Sequence, residues 1–268
     1  MAGLNMEMLQ VNGAPIQMLR GGQGPPLLYL HSAGAEVVWR PFQAVLSTLA
    51  QDFQLFAPAH PGFAMSEGLD QIDNMEDLVF HYLDLLDVLG LDRVNVVGMS
   101  LGGWLAAELA TRNPERVSRL VLVDAAGLYL PGNDGFEFFL DPITTPGYSQ
   151  QMRERCFHDP TSELARTFIP DTIAFDQLLF HYRARQATAR VAWNPYFYNP
   201  KLRGRLRRVK CPALVLWGDS DGLLPLEFAR AYQEAIPGAR LTVINQCGHL
   251  PPIEKPEEFA AAVKEFLW

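Results

Sequence analysis

The stretch Val94-Asn-Val-Val-Gly-Met-Ser-Leu-Gly-Gly103 constrains this chain more than any other. Val94, Val96 and Val97 read as a buried strand, Gly98 and Gly102 bracket Ser100 as Gly-x-Ser-x-Gly, and Trp104 to Arg112 has the composition of a helix. A serine hydroxyl must stand clear of the backbone to attack a carbonyl carbon, so the chain has to turn sharply around it. Glycines on either side let strand and helix approach without a clash. The first turn of the helix leaves N–H groups without intrahelical acceptors, and these favour a developing negative charge. Ser100 is therefore a candidate nucleophile, provided that a base and an orienting carboxylate lie elsewhere in the chain.

The rest of the chain alternates strands and helices. Met6–Val11 and Ala14–Arg20 flank Asn12-Gly13 and read as a hairpin. Leu27–His31 is a short apolar strand, followed by a helix from Trp39 to Ala50 with Pro41 in its first turn. Phe53–Ala57 is a strand opening into a Pro/Gly loop, and Asn74–Leu89 has helical spacing closed by Gly90. Arg119–Asp124 is a further strand. After a break come strand Ala213–Trp217, helix Leu226–Ala235, strand Arg240–Ile244 and a final helix from Pro256 to Leu267. This rhythm implies right-handed βαβ units and a mostly parallel sheet covered on both faces. Residues 127–208 break it with Pro131, Pro142, Pro146, Pro160, Pro170, Pro195 and Pro200, many aromatics, and a helical stretch at Phe175–Ala192. They read as a helical cap, residues 127–208, inserted into a core made of residues 1–126 and 209–268.

Composition narrows the function. The chain has 268 residues, 49% hydrophobic and 19% charged, with a mean hydropathy of +0.00, as in a water-soluble globular protein. A net charge of -8 argues against a nucleic-acid surface. The basic run Lys201–Lys210 reads as a solvated helix face. The N-terminal residues lack a basic and apolar leader and no stretch is long enough to span a membrane, so a cytoplasmic location is expected. Cys156, Cys211 and Cys247 lack paired spacing and read as reduced, buried thiols. There is no His-Glu-x-x-His, and Gly21-Gly-Gln-Gly24 precedes a strand instead of opening a helix, so neither a metal nor a dinucleotide cofactor is expected. The expected partner is a small-molecule substrate; the oligomeric state is open.

Of six histidines, His249 in Cys247-Gly-His-Leu-Pro251 follows the last strand and can reach the same sheet edge as Ser100. His31 and His60 lie on glycine-rich turns and are expected to shape the pocket floor through backbone hydrogen bonds. Asp221 in Gly218-Asp-Ser-Asp221 is better placed than Asp219 to face the histidine loop, with Asp124 as a competitor one strand earlier. The order is then Ser, Asp, His.

With these residues, the chain resembles the α/β-hydrolase fold superfamily over nearly its whole length. The matching segments are His31-Ser-Ala-Gly34, Pro61-Gly-Phe63, Gly98-Met-Ser-Leu-Gly-Gly103, Gly218-Asp-Ser-Asp221 with Pro225, and Gly248-His249. The resemblance implies an eight-stranded, mostly parallel α/β-hydrolase sheet with helices on both faces and an inserted helical cap. It also implies an oxyanion hole from the N–H groups of Leu101 and Ala33. The family usually has His-Gly where this chain has His31-Ser32. Its members with aspartate at the elbow, epoxide hydrolases and haloalkane dehalogenases, are set aside because position 100 is serine.

The leading expectation is a serine hydrolase, carboxylesterase-like, cleaving a small ester through an acyl-enzyme. One alternative is hydrolysis of a carbon–carbon bond in a β-diketone-like acid, and another is a ligand-binding protein without catalysis. His31, Ser32, Gly34 and Trp104 are expected to contact substrate. Helical spacing puts Arg183, Gln186, Arg190 and Trp193 on one face of the cap helix. If that face looks down on Ser100, Arg190 and Trp193 bind a substrate carboxylate; the alternative is that Arg190 pairs with a core carboxylate and clamps the cap.

Overall fold

The structure, a computed structural model, describes residues 3–34, 39, 42–132 and 145–268, apart from the side chain of residue 176. Eight strands form one sheet: β1 (Leu4–Val11), β2 (Ala14–Gly21), β3 (Pro26–Leu30), β4 (Gln54–Pro58), β5 (Val94–Met99), β6 (Val117–Val123), β7 (Ala213–Gly218) and β8 (Arg240–Ile244). Their spatial order is β1-β2-β4-β3-β5-β6-β7-β8. The hairpin β1–β2 joins β4 antiparallel, and every pairing beyond it is parallel.

The central strands are apolar on both faces because both are covered. Leu28, Leu30, Val96, Leu120 and Leu122 pack into one core with Leu78, Tyr82, Leu105 and Phe228. Their alternate neighbours Leu27, Tyr29, Val97, Met99, Val121 and Val123 pack into the other with Leu46, Leu49, Phe259 and Val263. The period of two thus feeds two layers from one run of valines and leucines. The helices supplying the first layer are α2 (Met75–Val88), α3 (Leu101–Arg112) and α8 (Leu226–Ala235); those supplying the second are α1 (Gln43–Leu49) and α10 (Pro256–Leu267). Helix α2 starts where Asn74 accepts the N–H groups of Glu76 and Asp77, and it stops at Gly90, whose φ of 67° only glycine adopts freely. Helix α1 covers the later part of the expected Trp39–Ala50 helix; Pro41 lies outside the described residues. All three cysteines are buried and free.

Helix α3 begins at Leu101, three residues earlier than composition suggests. Gly102 and Gly103 are helical here because neighbouring backbone and small side chains leave no room for anything larger. A Cβ on Gly102 would lie 2.2 Å from the Leu30 carbonyl oxygen and 2.6 Å from that of His31; one on Gly98 would lie 2.2 Å from the Gly102 oxygen.

Between β6 and β7 the chain forms α4 (Tyr148–Cys156), α5 (Glu163–Phe168), α6 (Phe175–Ala192) and α7 (Leu202–Arg205). Only α6 is foreshadowed by the sequence. Buried Glu108 of α3 ties this segment to the core, accepting from Trp104 Nε1 (3.2 Å), Asn199 Nδ2 (2.6 Å) and Arg112 Nε (3.2 Å). Helix α6 is rotated relative to expectation. Its inward side is Ala184, Ala187, Thr188 and Ala192, while Gln186, Arg190 and Trp193 are exposed. The cause is close approach: a Cβ on Gly62 would come within 2.9 Å of Ala187 Cβ, so only small residues fit beneath the helix.

The contact of Gly102 with β3 can be tested directly. Gly102→Ala is expected to destabilise the protein by about 2 kcal/mol or more, because backbone carbonyls must move to admit the methyl group. Gly204→Ala, where nothing lies within 4 Å, is expected to change stability by less than about 0.5 kcal/mol. Urea unfolding midpoints of the two variants make the comparison.

Candidate active site

Ser100 sits between β5 and α3 at φ 53° and ψ -115°, a conformation that non-glycine residues rarely adopt. Its N–H donates to the Val123 carbonyl (2.9 Å), and its own carbonyl accepts from Trp104 (3.0 Å) and Ala126 (3.1 Å). The strained turn is therefore held on both sides, by β6 and by α3. Leu101 is the first residue of α3, so its N–H has no intrahelical acceptor.

Asp221 and His249 meet as expected. His249 Nδ1 lies 2.7 Å from Asp221 Oδ2, and both side chains are buried. Asp221 Oδ1 accepts the N–H groups of Leu223 (2.8 Å) and Leu224 (2.9 Å), so both oxygens are engaged and the carboxylate cannot rotate away. Three donors suit a charged carboxylate, which fixes the imidazole with its proton on Nδ1 and leaves Nε2 free to accept. Among the described contacts no hydrogen bond links Ser100 to His249; bonds of this kind tighten when substrate binds.

The acid and base loops are held by parts of the chain that sequence reasoning missed. The C-terminal carbonyls of α4 lack helical donors. The Arg155 oxygen accepts the Gly222 N–H and the Cys156 oxygen accepts the His249 N–H, each at 2.9 Å. Glu254, on the short helix α9 (Pro251–Glu254), accepts the Gly248 N–H (2.7 Å) with Oε1 and the His158 N–H (2.9 Å) with Oε2. Burial pushes its carboxyl above the usual range. Asp219, the rejected alternative for the triad acid, instead receives the Cys247 N–H (3.3 Å) and the Ser220 hydroxyl (2.8 Å).

On the opposite side of Ser100, the His31–Gly34 loop is locked by two neutral histidines. The Ser32 carbonyl can only accept, so His31 Nδ1, 2.7 Å away, carries the proton; His31 Nε2 then accepts the His60 N–H at 2.9 Å. By the same reasoning His60 Nε2 donates to the His31 carbonyl (3.0 Å), and His60 Nδ1 accepts the Tyr82 hydroxyl (2.5 Å). The rings lie 3.7 Å apart. This closed set of bonds positions Ala33, the second expected oxyanion donor, and it tolerates no extra proton. Burial pushes His31 down to about 4 and His60 well below the ordinary histidine value.

Four expected substrate contacts are corrected. His31 is buried with both ring nitrogens bonded within the protein. Arg190 Nη1 lies 2.8 Å from Asp73 Oδ1 in an exposed pair, which is the clamp alternative. Trp193 is 54% exposed and meets Tyr196 edge-on. Both follow from the rotation of α6. Trp104 is buried, gives its indole N–H to Glu108 and closes on Gly127, so its polar edge is taken. Ser32 and Gly34 remain beside the site, half-buried and exposed respectively. Among the described residues, the groups that could gather on a cation are those of Asp124, Asp221 and His249, whose ligand atoms lie within 4.8 Å of one another. His249 Nδ1 and both Asp221 oxygens are already spent on hydrogen bonds, which suits proton transfer better than metal binding.

A pH dependence of stability follows from the histidine pair. Both are neutral in the fold and protonate in the unfolded chain near pH 6.5, so stability is full above that value and falls as pH drops towards about 4. For His31 alone the loss is at most about 3 kcal/mol. His81 and His181, also pushed down to about 4, add to the same window. Urea unfolding between pH 7.5 and pH 4.5 should show a shallower decline for His31→Asn than for the wild type; an equal slope would remove His31 from the account.

Residues 25–256 match the family model described as "alpha/beta hydrolase fold". The 2-hydroxymuconate semialdehyde hydrolase of Pseudomonas sp. (strain CF600) is 31% identical over 265 residues, covering 92% of this chain and 88% of that one. The 2-hydroxy-6-oxo-2,4-heptadienoate hydrolase of Pseudomonas putida F1 is 29% identical and covers 100% and 99%. Among solved structures, a meta-cleavage product hydrolase from Pseudomonas fluorescens IP01 superposes with a TM-score of 0.78 at 24% identity, covering 97% of each chain. The sheet order, the serine elbow after β5 and this match over most of the length agree: the chain belongs to the alpha/beta hydrolase fold family.

Proposed function

We propose that this protein hydrolyses a carbon–carbon bond in a small vinylogous diketone acid, with Ser100 as nucleophile, His249 as proton shuttle and Asp221 as the orienting carboxylate. The observation that carries this reading is the 31% identity, over 92% of the chain, to a 2-hydroxymuconate semialdehyde hydrolase. It reverses the order of the two enzymatic readings made from sequence, in which ester cleavage led. The joined Asp221–His249 pair speaks against a protein that only binds a ligand, which has no need of a buried, oriented imidazole.

The chemistry uses groups already in place. His249 Nε2 takes the Ser100 proton as Oγ attacks the ketone carbon. The N–H groups of Leu101 and Ala33 receive the resulting oxyanion, each donor contributing about 3–4 kcal/mol in comparable sites. The 2-hydroxy-diene first ketonises, its enol O–H losing a proton and the carbon next to the ketone gaining one. The carbon–carbon bond then breaks, and its electron pair passes into the conjugated 2-oxo acid as a dienolate, which takes the proton back from His249. Water, deprotonated by His249, releases the acyl group from Ser100 as a carboxylic acid. The same steps with an oxygen leaving group would cleave an ester, so the two reactions differ only in how the leaving group is stabilised.

A substrate panel tests this. The kcat/KM for a 2-hydroxy-6-oxo-diene acid is expected to exceed that for p-nitrophenyl esters of graded acyl length by about tenfold or more. Ser100→Ala should lower kcat by roughly 10³–10⁶-fold, and Asp221→Asn should cost far more than Asp219→Asn. Rapid turnover of a short ester with none of the diene acid would restore the esterase reading.

A further inference from the structure

Asp124 follows β6 beside the triad and takes no part in the steps above. Its backbone is held at φ 42°, its side chain is fully buried, and Oδ1 accepts the Gly218 N–H at 3.1 Å. Among the described residues, no donor reaches Oδ2. The polar group beside it is the carboxylate of Asp221, to which Asp124 is bonded only if one of the two carries a proton. Asp221 already has three donors, from His249, Leu223 and Leu224, whereas Asp124 has one. The two buried carboxylates have oxygens within 4.8 Å of each other, so charging both is strongly disfavoured, and the group with fewer donors takes the proton. Among the described residues, the charged groups acting on Asp124 are Asp221 and Glu254, both acidic; the Cys156 and Cys247 thiols lie beside the pair, and Arg155 and Lys255 act on those thiols from further out.

We propose that Asp124 is a positioning residue: it keeps its proton at neutral pH and donates it from Oδ2 to Asp221, fixing the carboxylate that orients His249. This rests on Ser100, His249 and Asp221 acting as the triad. Burial and the neighbouring Asp221 charge push the Asp124 carboxyl well above the usual carboxylate range, in keeping with that proton. The donated bond spreads the charge of Asp221. Removing the donor therefore makes His249 more basic, whereas removing a charge from an ionised Asp124 would make it less basic.

Two measurements separate these cases. Infrared difference spectra at pH 8 between the wild type and Asp124→Asn should contain the carbonyl band of a protonated carboxylic acid; its absence overturns the proposal. The rate at which a fluorophosphonate labels Ser100 reports His249 through its acid limb. Asp124→Asn keeps a donor towards Asp221 and should leave that limb within about 0.3 pH, while Asp124→Leu should move it upward by about half a unit. A downward shift in both variants, or no shift in either, overturns the positioning role. Should Asp124→Leu not fold, the band and the Asn variant decide. A wild type that shows the band but is never labelled at Ser100 means the triad reading has failed instead.

Discussion

The site depends on one close approach of backbone to backbone. Gly102 presses α3 against the last carbonyls of β3, leaving no room for even a methyl group. That contact turns the chain sharply at Ser100 and sets the start of α3, with its unbonded N–H at Leu101, beside the loop that carries Ala33. Parallel strands make it possible: β3 and β5 are neighbours, so their carboxyl ends open on the same side. The strain of a serine at positive φ is tolerated because its N–H and carbonyl are both bonded to neighbouring elements.

Around this turn, the functional side chains are held by groups that do not react. Two neutral histidines and Tyr82 hold the His31–Gly34 loop on one side. On the other, helix α4, between β6 and β7, spends its last carbonyls on the loops of Asp221 and His249, and Glu254 holds Gly248. The segment between β6 and β7 is thus bonded to the acid and base loops as well as to α3 through Glu108. A change in the packing of α4 would reach the Asp221 and His249 loops through two backbone hydrogen bonds.

Much of this was legible in the sequence because period and punctuation carry it. The valine and leucine runs gave the central strands, Asn12-Gly13 the hairpin, and Gly-x-Ser-x-Gly between strand and helix the elbow. The spacing of Asp221 and His249 after the last two strands was enough to pair them. What was missed depends on tertiary placement. The phase of α6 is set by a steric fit between Ala187 and Gly62 that periodicity does not reveal, since arginines and a tryptophan fit either face on paper. Helix α4 holds the triad with backbone carbonyls, which no side-chain pattern marks. Asp124 was weighed as a rival to Asp221, when the fold places the two carboxyl groups side by side. The bond that is broken, carbon–carbon or ester, is not encoded in the triad, because the same three side chains serve either leaving group.

The central claim is that the ketone of an acidic substrate is received between Leu101 and Ala33, over position 100. A crystal structure of the Ser100→Ala variant with a vinylogous diketone acid tests it most directly. The account predicts the keto oxygen about 3 Å from both N–H groups, with its carbon facing the alanine methyl. A ligand whose ketone lies away from both N–H groups, or whose keto carbon is out of reach of position 100, would contradict it.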